Sequence, residues 1–78
     1  MAHYSVSSKL SPEKVMEKAL AYFGELGLTV EEQEPCCAYL VGGGGHIRVS
    51  VAGSGRAEVD VETREWDYQV KEFLQRIV

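Results

Sequence analysis

The chain has 78 residues, a formal net charge of −4 and 45% hydrophobic residues, enough for one globular core and too few for a second domain. An acidic surface repels phosphate backbones, so nucleic acid is not an expected partner. No apolar run approaches the roughly 20 residues of a membrane-spanning helix, so a membrane is not expected as a partner either.

The first ten residues, MAHYSVSSKL, lack the basic and apolar regions of a signal peptide, and the expected location is cytoplasmic. Residues 3–9 alternate Tyr4, Val6 and Ser8 against Ser5 and Ser7, which predicts a strand at or near a sheet edge. Ser11-Pro12-Glu13 then supplies an N-cap, a first helical proline and an acidic first turn. The helix it opens buries Val15, Ala19, Tyr22, Phe23 and Leu26, widened by Met16 and Leu20, and turns Glu13, Lys14, Glu17, Lys18 and Glu25 outward. Lys14, three residues before Glu17, offsets the like-charge pair of Glu13 and Glu17. Gly24 weakens the last turn and Gly27 is the expected left-handed stop.

Residues 28–34 read as a short second strand with Leu28 and Val30 inward and Glu31, Glu32 and Glu34 at its end. Charge of this kind discourages an edge strand from pairing with another molecule. Pro35 favours a turn. The third strand, residues 36–41, is apolar on both faces: Cys37, Tyr39 and Val41 on one, Cys36, Ala38 and Leu40 on the other. The four glycines 42–45 form a hairpin, and residues 46–52 form a fourth strand with Ile47, Val49 and Val51 opposed by Arg48 and Ser50. After the Gly53-Ser54-Gly55 turn, Ala57, Val59, Val61 and Thr63 alternate with Glu58, Asp60 and Glu62 in a half-buried fifth strand. The period then switches to helical spacing through Trp66, Val70, Phe73, Leu74 and Ile77.

The element order is β-α-β-β-β-β-α. It predicts an α+β two-layer sandwich: a five-stranded antiparallel sheet of order 2-3-4-5-1, with both helices on the face of Val49, Val59 and Val61. This order resembles a half-repeat of the TATA-binding-protein-like folds. It also resembles a shortened helix-grip domain of the START or Bet v 1 type. YSVSSKLSPEKVMEKALAYF is similar to the strand, cap and helix that open helix-grip proteins. ETREWDYQVKEFL resembles the strand-to-helix closure of small bacterial domains of this shape. The helix-grip resemblance implies binding of an apolar ligand such as a lipid or polyketide. The closing helix, about three turns long at 3.6 residues per turn, leaves little room for a large cavity.

Chemistry-bearing constellations are sparse. A phosphate cradle needs a helix directly after its glycines, whereas His46-Ile47-Arg48-Val49 continues the 42–45 run as a strand. His3, Cys36, Cys37 and His46 are the potential metal ligands. Zinc patterns separate paired cysteines by about two to four residues, and neighbours on a strand point to opposite faces. The cysteines are therefore expected as reduced, strand-embedded thiols, with no metal and no other cofactor. Glu58, Asp60 and Glu62 read as the solvated face of an amphipathic strand, with Arg48 a cross-strand partner. His46 and Ser50 lie near no nucleophile elbow or oxyanion signature, so no catalytic residue and no enzymatic activity is expected. Trp66 is expected to cap one end of the core.

Two functions follow as expectations. The first is a non-catalytic interaction or structural module, in homodimeric form or with another partner, using Cys36, Ala38 and Leu40 on the sheet face opposite the helices. The second is a small apolar-ligand binder with a shallow pocket between Tyr4, Tyr22, Tyr39, Trp66 and Phe73.

Overall fold

A computed structural model describes residues 2–78. Its elements are β1 (Ala2–Ser8), α1 (Pro12–Glu25), β2 (Thr29–Gln33), β3 (Cys37–Gly42), β4 (Gly45–Ala52), β5 (Ala57–Arg64) and α2 (Asp67–Ile77). The strands form one antiparallel sheet in the order β1-β5-β4-β3-β2, which is the expected order read from the other edge. β1 and β2 occupy opposite edges, so α1 carries the chain across the sheet between them. α2 then returns over β1 and β5.

Local chemistry accounts for the helix ends. The Ser11 hydroxyl accepts a hydrogen bond from the Lys14 backbone N–H at 3.2 Å, and Pro12 follows where its missing N–H costs nothing. Gly27 has a φ of +100°, the left-handed stop that glycine takes without strain. The last turn of α2 is tied to β1 from outside the helix. The buried Ser8 hydroxyl donates to the Ile77 carbonyl and accepts from the Leu10 backbone N–H. One of the carbonyls that a helix end leaves unpaired is thereby satisfied.

The core lies between the helices and one face of the sheet. Phe23 of α1 and Phe73 of α2 meet with ring centroids 5.1 Å apart. Beneath them, Leu40, Ile47, Val49, Val59 and Val61 are almost completely buried. Each such side chain contributes roughly 1.5–3 kcal/mol on leaving water, so this one layer holds together a chain with a small interior.

The four-glycine hairpin has a geometric cause. Gly43 and Gly44 have φ of +57° and +81°, the pair of positive values that a tight two-residue hairpin requires. Gly45 carries a different constraint: a Cβ there would fall 2.0 Å from the Arg64 carbonyl oxygen. β4 can therefore start only with a residue that lets β5 approach.

Leu26, expected on the buried face of the first helix, is its C-cap and is exposed, and two expectations about strand facing are corrected. Ala38 and Leu40 are buried beneath the helices, not displayed on the opposite face. They pair with Val49 and Ile47, and residues directly opposite in an antiparallel ladder share a face. The outward set of β3 is Cys37, Tyr39 and Val41. Val30, expected inward, shares the Leu40 side but is 39% exposed. It lies on the outermost strand, where the ladder shifts register between Val30 and Glu32.

Candidate functional site

The sheet face away from the helices is uncovered, and its residues form rows across the strands. His3, Glu62, Arg48, Tyr39 and Glu32 make one line from edge to edge. Ser5, Asp60, Ser50 and Cys37 make the next. This is the polar half of the period-two alternation, brought together because every strand keeps its apolar half under the helices.

Within these rows the side chains pair laterally. Asp60 accepts from the Ser5 hydroxyl at 2.7 Å, and its carboxylate lies 2.7 Å from His3 Nε2. The Ser7 hydroxyl reaches both oxygens of Glu58, at 2.9 and 2.8 Å. The hydrogen bonds from Ser5 and then His3 hold the Asp60 carboxyl below its ordinary value. In return, the hydrogen bond to Asp60 and its negative charge hold the His3 imidazole above 6.5. Arg48 stands opposite Glu62 in the ladder, yet its guanidinium lies over the Tyr39 ring, 4.6 Å from the centroid. His46 Nε2 lies 3.6 Å from the Glu62 carboxylate. His46 is half-buried beside Tyr39, not a free turn residue.

At one corner of this face Cys36 and Cys37 are joined by a disulfide, which corrects the expectation of two reduced thiols. That expectation placed both residues in a strand, with side chains on opposite faces. β3 begins only at Cys37, and Cys36 sits in the β2–β3 turn, where alternation does not apply. The turn is closed by hydrogen bonds between Glu34 and Cys37, at 2.7 and 3.1 Å, and Val51 N–H holds the Cys36 carbonyl at 2.8 Å. Pro35 before Cys36 was the signal in the sequence that the strand starts later.

The five residues expected to share a ligand pocket are dispersed. Tyr4 is on the helix side of β1, its hydroxyl donating to Asp67 at 2.9 Å. That hydrogen bond, with partial desolvation, raises the phenol above its ordinary 10.0. Tyr39 is on the opposite face of the sheet. Trp66 closes the end of the core at the β5–α2 junction, donating from Nε1 to the Gly42 carbonyl at 2.9 Å. Only Tyr22 and Phe73 come together, with centroids 5.6 Å apart. They line an open cleft of about 300 Å³ between the helices, with Lys18, Ala21, Glu25 and Arg76 around it. Arg76 lies over the Tyr22 ring at 5.3 Å.

Among the described residues, no group of three His, Cys, Asp or Glu side chains gathers in a way that would hold a metal ion, and no helix is long and apolar enough to cross a membrane. No protein-family model matches the chain, and no curated protein matches it.

Proposed function

We propose that this chain is a non-catalytic interaction module whose working surface is the open face of the sheet. The observation that carries the reading is the uncovered five-stranded face, with its charged, hydroxyl and aromatic side chains in rows. These side chains satisfy one another laterally instead of converging on one point, as a nucleophile, its base and an orienting group must. Glu58, Asp60 and Glu62 form an acidic line along β5, so the complementary partner presents cationic side chains. The same acidic line opposes face-to-face stacking of two copies. A homodimer therefore uses another surface and is the second form of this reading.

The alternative, a small-ligand binder of helix-grip type, draws its support from the Tyr22–Phe73 cleft. At about 300 Å³ it sits at the low end of the roughly 300–1,000 Å³ typical of ligand sites. Its aromatic walls with Lys18 and Arg76 fit a small amphipathic carboxylate. The interior beneath the helices is filled by Phe23, Phe73, Leu40 and Ile47, which leaves this cleft on the outside of the helix layer as the place for such a ligand.

Amide chemical-shift mapping separates the readings. A lysine-rich peptide and a panel of lipids and metabolites are titrated into labelled protein. Shifts centred on His3, Asp60, Glu62 and Tyr39 with the peptide support the interaction module. Shifts centred on Tyr22, Phe73 and Arg76 with a carboxylate ligand support the alternative. Sedimentation at high concentration decides whether a second copy is the partner.

A further inference from the structure

The Cys36–Cys37 disulfide stabilises little. A disulfide constrains an unfolded chain in proportion to the loop it closes, and a bond between adjacent residues closes no loop beyond its own ring. The core is also complete without it: Ala38 and Leu40 are buried through the ladder with β4. Exposed disulfides are in general the labile ones, open to exchange. The position of this one fits exchange. Cys36 is exposed in the turn at the edge of the sheet, while Cys37 is half-buried at the start of β3. Cys37 lines an open cleft of about 200 Å³ with Glu32, Glu34, Ala38, Tyr39 and Arg48.

We propose that Cys36 and Cys37 form a two-electron thiol–disulfide exchange site for small thiols that are neutral or cationic. An incoming thiolate attacks the exposed Cys36 Sγ. A new S–S bond forms to it, the Cys36–Cys37 bond breaks, and Cys37 leaves as a thiolate that takes a proton from water. A second thiolate then attacks the small-molecule sulfur of the mixed disulfide, and Cys36 leaves and is protonated in turn. Two thiols are oxidised to one disulfide, and each cysteine gains one electron and one proton. A small disulfide reverses the sequence. Arg48, its guanidinium over the Tyr39 ring, is the cationic side chain of this cleft. The carboxylates of Glu32 and Glu34 outnumber it there, with Glu31 further along β2, and they repel an anionic reductant on approach.

The test equilibrates the whole chain with graded mixtures of cysteamine and cystamine, traps thiols with N-ethylmaleimide and weighs the intact protein. The expected result is a transition between zero and two alkyl groups in a protein that stays folded by far-UV circular dichroism. Two alkyl groups under every oxidising condition, covalent dimers as the main oxidised product, or unfolding on reduction would each overturn the proposal. Cys37→Ser is expected to take one alkyl group in excess cysteamine and, in excess cystamine, to stop at the mixed disulfide with cysteamine and take none; absence of that adduct counts against Cys36 as the accessible sulfur. Reduction rates complete the test. Cysteamine is expected to react severalfold faster than mercaptoacetate, relative to their rates with a small model disulfide, in low salt. The gap narrows as salt screens the carboxylates. Equal relative rates, or a faster anionic thiol, contradict the assigned thiol class.

Discussion

Asp60 joins β1 to β5 through two side chains, Ser5 and His3, each at 2.7 Å. Its carboxyl is held below its ordinary value, and the His3 imidazole above 6.5. The signs fix the pH window. The contribution of His3 is fully present below 6.5 and is lost as pH rises through its raised folded value. The contribution of Asp60 is fully present above 3.8 and is lost as pH falls through its lowered folded value. The pair therefore holds β1 most firmly in mildly acidic solution, by a small amount because both groups are largely exposed. In Asp60→Asn the His3 midpoint, read from its ring protons in an NMR titration, should fall back toward 6.5; an unmoved midpoint contradicts the pairing. Two glycines make a second test at this scale. Gly24 lies in α1 with nothing within 4 Å of an added Cβ, so Gly24→Ala should stabilise by about 0.4–1 kcal/mol. At Gly45 the added carbon meets the Arg64 carbonyl at 2.0 Å, so Gly45→Ala should cost at least about 1–3 kcal/mol, the usual penalty of overpacking. Urea midpoints at unchanged slope measure both.

The elements differ in how far the sequence reveals them. α1 was legible because Ser11-Pro12-Glu13 caps it and Val15, Ala19 and Phe23 repeat on one face. β4 and β5 were legible because each alternates cleanly, and the fold order followed from their short turns. β3 was legible as a strand but not in its facing. Both its sides are apolar, so alternation carries no preference, and only the register with Val49 and Ile47 decides that Ala38 and Leu40 go inward. The start of the same strand hid the disulfide, because one residue of error at Cys36 turns a turn residue into a strand residue. The acidic line of the open face was visible in β5 alone. Its connection to Arg48, Tyr39 and His3 needed pairings between residues far apart in sequence. The expected aromatic pocket failed for a related reason: helical and strand periods identify apolar side chains, not which side of the sheet they share. α2 has only 11 residues and depends on packing more than on propensity. Phe73→Ala, which removes the ring between Phe23 and Tyr22, should cost about 3–5 kcal/mol. Its urea midpoint should fall accordingly, and a loss below about 1 kcal/mol would contradict the central place of that ring in the core.

As a whole, the molecule covers one side of its sheet and leaves the other bare. The covered side is apolar and filled by side chains from both helices. The bare side is polar and ordered by cross-strand pairs, with the Cys36–Cys37 disulfide at its β2–β3 corner. On the proposed reading, the open face is the surface on which a partner docks. The most direct test is amide chemical-shift mapping of the labelled protein with a lysine-rich peptide. Saturable shifts confined to the strand residues around His3, Asp60, Glu62 and Tyr39, and abolished in a Glu58→Lys, Glu62→Lys variant that stays folded, are the predicted result. Shifts that gather instead at Tyr22, Phe73 and Arg76, or that survive the charge reversal, would contradict it.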